Sequence, residues 1–257
     1  MEGQVCICNC FSLLTCGLSN LFVDIPRLGR MLINLRGQNP LYLWERPMSD
    51  CEFCLELSGA RTARFRTQYP NTSSRILDET EEFVALPTLG QLFAGSLLVL
   101  PKRHVHSCAT LRPDELERFC LFTRRLMRRT ESFGYPVFFE HGAAPHTGGS
   151  CGIYHAHLHI VPLPEPKPVS VFFPDSVSST EELNKALTKL RGDDHYLLFG
   201  DAREVHFASV SDLQNTPPSQ HFRQQIARQF DTQSHWDWRH APSNEEKLLE
   251  TLSAWAK

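Results

Sequence analysis

Between residues 74 and 162 the apolar positions change period several times, and each change predicts an element. Residues 74–87 set apolar pairs on either side of an acidic centre, which predicts a β-hairpin with Asp78 to Glu81 at its turn. Residues 96–101 are a continuous apolar run of strand length, the pattern of a strand buried on both faces. From Leu111-Arg112-Pro113-Asp114-Glu115 onward the spacing becomes three to four. Leu116, Phe119, Cys120, Phe122, Thr123, Leu126 and Met127 then make one face of a helix that opens on Pro113 and two acids and ends at Gly134. Arg124, Arg125, Arg128 and Arg129 near its end read as a solvated face. Residues 137–140 predict another strand, followed by His141-Gly142 and a loop over 143–152 that carries Gly148, Gly149 and Ser150.

Residues 154–162 alternate strictly and end in proline, which predicts a strand. His155, His157 and His159 then share one face, about 6.5–7 Å apart along it, while Ala156, Leu158 and Ile160 pack on the other. One buried imidazole is ordinarily a satisfied core group. Three in strict alternation would each need a partner, so the pattern points to a metal or to a phosphate handled by a nucleophilic histidine. The glycine-bearing loop just before them suits the second idea, since backbone N–H groups in such loops cradle phosphate oxygens.

The chain has 257 residues, room for one large domain or a domain with a substantial extension. Apolar content of 41%, charged content of 21% and net charge −3 are ordinary for a globular protein and give no reason to expect nucleic-acid binding. No run of eighteen or more apolar residues is present, so no membrane span is expected. Nine cysteines at irregular spacing argue against a secreted disulfide framework and for a reducing, cytoplasmic setting. Cys51-Glu52-Phe53-Cys54 is a zinc half-site, a redox pair or two buried small hydrophobes. Residues 1–47 predict no defined element; the leader lacks a basic start and is a poor signal peptide.

In this order the motifs resemble the histidine-triad (HIT) family of nucleotide hydrolases and transferases. Its signature of three histidines separated by apolar residues is matched at every position of 155–161, and the resemblance runs from about Cys51 to Pro164. It implies an α+β fold, an antiparallel sheet with a long helix packed on it, here expected over residues 48–166. It also implies that His157 attacks the α-phosphorus of a nucleotide and is transiently nucleotidylated, with its other ring nitrogen held by a backbone carbonyl. A neutral imidazole is a good nucleophile near neutral pH, and the covalent intermediate splits one hard displacement into two. His159 would bind phosphate or orient the nucleophile. In zinc-containing members the ligands map onto Cys51, Cys54, His104 and His155, with His106 competing for the third place; such a closed set is structural.

Two departures bear on the substrate. Where many members have Gly-Gln-Ser before the first histidine, this chain has Ser150, Cys151 and Gly152, and where Asn or Asp is frequent it has Glu140 or His141. Substrate contacts are expected from Glu140, His141, Gly149, Ser150, Cys151 and Gly152, although a glutamate beside phosphate would repel it. The prolines of 162–168 predict an extended linker to an α/β C-terminal extension over 167–257. That extension should hold a helix over 176–191 capped by Ser179 or Thr180, a hairpin turning at Gly200-Asp201, and a helix from Pro218. It would cover the pocket, with Ser219, Gln220 and Arg223 reaching phosphate or base. The expected partner is a small nucleotide, and relatives are often two-fold dimers. Two other readings stay open: a nucleotide-binding regulator with little turnover, and a catalytic zinc held by all three histidines.

Overall fold

The computed structural model describes residues 20–25, 29–34, 51–72, 74–144, 147, 152–173, 177–232, 236–239 and 245–256. The chain divides into two units, residues 1–47 and 48–257. In the first, β1 (Asn20–Ile25) pairs antiparallel with β2 (Gly29–Asn34), Asn20 lying opposite Asn34. No element was expected there, because the two short apolar runs that flank Pro26 and Gly29 carry no clear period.

The second unit runs α1 (Glu52–Leu57), α2 (Arg64–Gln68), β3 (Asp78–Glu79), β4 (Phe83–Pro87), β5 (Leu97–Pro101), α3 (Pro113–Thr130), β6 (Tyr135–Ala143) and β7 (Leu158–Leu163). It continues with β8 (Ser178–Thr180), α4 (Leu183–Lys189), β9 (His195–Gly200), β10 (Val205–Ser209), α5 (His221–Gln229) and α6 (Glu245–Trp255). Its strands form one eight-stranded sheet in the order β3-β4-β5-β7-β6-β9-β10-β8, with every neighbouring pair antiparallel. The fold is α+β. Because β9 pairs with β6 from Phe138↔Gly200 to Ala143↔His195, residues 167–257 continue the sheet that residues 48–166 begin. No helix among the described residues is long and apolar enough to cross a membrane.

Alternation assigns the two faces. Phe138, Leu158, Ile160, Tyr196 and Leu198 pack toward Phe119, Phe122 and Leu126 of α3. Phe139, Val161, Leu197 and Phe199 pack toward Phe222 and Ile226 of α5. Farther along the sheet, Val84, Leu86, Leu98 and Leu100 face Phe53 of α1. Strands β4 and β5 are buried along their whole length, which is why residues 96–101 read as a continuous apolar run. Every apolar-face position expected in α3 is buried. Its N-terminus is closed by Glu115, whose carboxylate accepts the Arg112 N–H at 2.9 Å. The arginines near its end lie on an exposed face, where Arg125 meets Asp78 at 2.8 Å and Arg129 lies 3.9 Å over the Trp255 ring.

Several local expectations are corrected. Asp78 and Glu79 are paired strand residues opposite Ala85 and Val84, so the hairpin turns over 80–82. Helix α3 stops at Thr130, four residues before Gly134. Strand β6 runs on through His141 and Gly142 to Ala143, because β9 supplies a hydrogen-bonding neighbour over that length. At Gly142 a Cβ would overlap the Tyr196 ring, so this strand position has room only for glycine. The predicted helix over 176–191 splits: Ser178, Ser179 and Thr180 pair with Phe207, His206 and Val205 as an edge strand, and the helix begins only after Glu182, where Leu183, Ala186, Leu187 and Leu190 bury one side. The strand expected to end at Pro162 runs one residue further, to Leu163, with Pro162 opposite Pro136.

Candidate active site and metal cluster

The histidine strand is shorter than its alternation predicts: β7 starts at Leu158, and His155 to His157 precede it. Their backbone groups are used elsewhere. The Ala156 N–H donates to the Val105 carbonyl at 2.6 Å, and the His155 carbonyl accepts from Nδ1 of His157 at 2.6 Å. With those groups taken, the ladder to β5 cannot run past Val99↔Leu158. The division of faces still holds: Ala156, Leu158 and Ile160 join the α3 core, while the three imidazoles lie on the opposite side.

Those imidazoles do not converge on one point. His155 is fully buried and donates from Nε2 to the Pro101 carbonyl at 2.8 Å, which presents Nδ1 to Cys51 at 3.3 Å and Cys54 at 3.6 Å. Cys54 lies 3.4 Å from Nδ1 of His104. Donor atoms of Cys51, Cys54, His104 and His155 all fall within 4.8 Å of one another, and this is the one such group among the described residues. Four N and S ligands around a tetrahedral zinc stand about 3.3–3.8 Å apart, so the spacing fits a metal of that kind. His106 is not part of the group; its ring packs edge-on against His104. Burial and the adjacent Cys51 push the Cys54 thiol up to about 12, and burial draws His155 down to about 4. The neutral imidazole is the ligating form, while a dication at the centre would reverse the thiol shift.

His157 and His159 belong to a cleft instead. The cleft is lined by apolar and aromatic groups, among them Phe53, Phe65, Leu98, Ile153 and Trp238, by the polar groups His141, His157, His159, Gln220, His221 and Arg223, and near α1 and α2 by Glu52, Glu56, Arg64 and Arg75. His157 meets the edge of Phe53 at 5.4 Å and His159 at 5.4 Å. The His159 ring stacks on Phe139, 4.5 Å away and 12° from parallel; burial holds it well below the usual imidazole range, and Nδ1 has no hydrogen-bond partner. Three histidines turned to three different neighbours do not make a catalytic zinc site of the carbonic anhydrase kind.

The expected substrate residues divide sharply. Gly149, Ser150 and Cys151 lie outside the described residues. Gly152 has φ +87° and open space around it, and does not line the cleft. His141 lines it, with Nε2 2.7 Å from Nε2 of His195 on β9. Arg223 lines it too, donating from Nε to the Trp236 carbonyl at 2.7 Å and from Nη2 to the Gly90 carbonyl. Gln220 bridges Asp237 at 2.9 Å and the Trp238 N–H at 3.3 Å, while the Ser219 carbonyl accepts from Gln224.

Glu140 is a correction. Alternation along β6 turns Phe139 and His141 to the cleft and Glu140 to the α3 side, where it is 2% exposed. There its carboxylate accepts from the Cys108 N–H at 2.9 Å and from the Tyr196 hydroxyl. Burial pushes this carboxyl up, and the donors pull against that shift. It is not among the residues that line the cleft. Tyr196→Phe removes one of those donors and is expected to cost about 1–3 kcal/mol in urea denaturation. A loss under about 0.5 kcal/mol would show that the carboxylate does not depend on the hydroxyl.

The sequence reading missed His221, His195 and Phe53. His221 is an isolated histidine at a helix start, and only the packing of α5 on the sheet brings it to the cleft.

No protein-family model matches this chain, and no curated protein sequence does. Among solved structures, the neighbours include HIT family proteins. One from Bacillus subtilis is 19% identical over 44% of this chain and 72% of its own, with a TM-score of 0.35. A hypothetical histidine triad nucleotide-binding protein from Sulfolobus tokodaii is 19% identical over 55% of this chain and 88% of its own, TM-score 0.35. A HIT family hydrolase from Legionella pneumophila is 20% identical over 44% of this chain and 91% of its own, TM-score 0.30. All three scores lie below 0.5, and what the site can do follows from this chain's own side chains.

Proposed function

We propose that this protein is a nucleotide hydrolase or nucleotidyltransferase of the histidine-triad kind, acting on the α-phosphorus of a nucleotide ester, phosphoramidate or dinucleoside polyphosphate through a nucleotidyl-His157 intermediate. The observation that carries this reading is the 2.6 Å contact of His157 Nδ1 with the His155 carbonyl. A carbonyl only accepts, so the ring proton sits on Nδ1 and the lone pair on Nε2. The ring is thereby set as a nucleophile in a cleft whose lining also includes Phe53, Phe65, Leu98, Ile153 and Trp238, apolar and aromatic groups suited to a nucleobase.

The Nε2 lone pair forms an N–P bond as the P–O or P–N bond to the leaving group breaks and that group takes the electron pair. The Nδ1 proton stays on the ring, so the charge that develops there is met by the His155 carbonyl dipole. Water, or another acceptor, then attacks the same phosphorus from its oxygen, the N–P electrons return to Nε2, and the acceptor's proton leaves with solvent or product. Hydrolysis yields a nucleoside monophosphate and the free leaving group.

Cys51, Cys54, His104 and His155 would hold a zinc ion in this reading, and its chemistry there is structural. It would fix α1 against the His155 segment and so the carbonyl that orients His157.

Intact-protein mass spectrometry after brief incubation with a panel of nucleotide esters tests the proposal. The expected result is an acid-labile gain of one nucleoside monophosphate, absent in His157→Asn. Tight nucleotide binding by calorimetry with no adduct and no turnover would replace it with a nucleotide-binding regulator.

A further inference from the structure

The nucleotidyl reading leaves the leaving group open, and the C-terminal third addresses it. Helix α5 (His221–Gln229) points its N-terminus into the cleft, with Gln220, His221 and Arg223 among the lining residues. No side chain caps that end. His221 is 8% exposed, and neither of its ring nitrogens has a hydrogen-bond partner. His141, on the facing strand, likewise keeps Nδ1 buried without a partner. With Nδ1 of His159 these make four orphaned imidazole nitrogens on residues lining one cleft, which are costly unless a ligand satisfies them.

The acidic groups of the cleft lie away from α5 in sequence and are already engaged. Glu52 and Glu56 are the acidic residues that line the cleft; Glu52 accepts from the Arg64 N–H and Glu56 pairs with Arg75 at 2.7 Å. Glu140 has turned to the other face of the sheet. Near α5 the cleft-lining groups are imidazoles, the Arg223 guanidinium and the positive end of a helix, while Asp237, which accepts from Gln220, is paired with Arg239 at 2.9 Å. His141, His157, His159, His221 and Arg223 all line the same cleft.

We propose that the N-terminus of α5, with His221 and His141, is a phosphate subsite that receives the leaving group, so that the preferred substrates are phosphoric anhydrides rather than phosphoramidates. This rests on the His157 reading for the reaction, although the subsite itself can be measured without turnover. A departing phosphate or pyrophosphate is a stable anion and needs donors around its oxygens more than a proton. Burial draws His221 down to about 4 and His141 to about 3. Each is therefore a neutral ring with one N–H and no buried charge to compensate, and His141 presents that N–H from Nδ1 when its Nε2 accepts from His195.

The test uses the full chain and inorganic pyrophosphate as probe. Calorimetry compares wild type with His221→Phe, which keeps a ring and removes both nitrogens, and with His221→Gln, which restores an amide donor. Wild type should bind pyrophosphate; His221→Phe should weaken it at least about tenfold, and His221→Gln should recover part of the loss. In parallel, His221→Phe should lower kcat/KM for a nucleoside polyphosphate at least about tenfold more than for the matched 5′-phosphoramidate, whose departing amine carries no phosphate. If the phenylalanine variant does not fold, imidazole nitrogen NMR of wild type decides, since pyrophosphate must shift the His221 signals. Absence of pyrophosphate binding, unchanged binding in His221→Phe, or equal losses on both substrates overturns the subsite. Pyrophosphate binding that depends on His221, with no adduct on His157, upholds the subsite and sinks the nucleotidyl mechanism instead.

Discussion

His157→Asn should lower turnover by about three to four decades, the range seen when a catalytic nucleophile is removed and binding is left in place. Asparagine can still donate to the His155 carbonyl, so the local backbone should hold, but it offers no nitrogen lone pair where Nε2 stands. The loss should fall on kcat, with nucleotide affinity little changed, because the apolar lining of Phe53, Leu98 and Ile153 is untouched. Initial rates of nucleoside monophosphate release, read beside calorimetric affinity, check both halves. Turnover within tenfold of wild type would leave the covalent route without support.

Cys51→Ser should lose the metal and much of the stability of the α1 region. Elemental analysis of the purified protein is expected to give about one zinc per chain for wild type and little for the variant, since a four-ligand structural site depends on its thiolates. The thermal midpoint should drop on the order of 10 °C, as several kcal/mol of binding free energy leaves the folded state. Turnover should fall as well, because His155 both faces the cluster with Nδ1 and supplies the carbonyl that holds His157. Zinc retained in Cys51→Ser at the wild-type level would show that the metal sits elsewhere.

The histidine motif was legible because strict alternation is a property of the chain itself. It assigned Ala156, Leu158 and Ile160 to the core and the imidazoles to the other side, and both assignments stand. The α3 face was legible for the same reason, its apolar positions recurring at helical spacing. Between Glu140 and His141 the sequence left the choice open. A strand reverses faces at each residue, so the continuation of β6 through His141 to Ala143 decides that His141, and not Glu140, meets the cleft. Nothing in residues 137–142 announces that continuation, which exists because β9 pairs alongside.

What the sequence by itself determined, then, is the short-range order: which residues of each strand and helix share a face, and the likeness to a histidine-triad signature. Period and spacing are encoded locally, within a few residues. Only the tertiary structure decided that Cys51, Cys54, His104 and His155 come within ligand distance, that residues 167–257 extend the sheet, and that His221 stands at the cleft. Those juxtapositions join residues fifty to more than a hundred positions apart, as from Cys54 to His104 and from Cys51 to His155. They depend on sheet order and helix packing, which no single stretch of chain encodes.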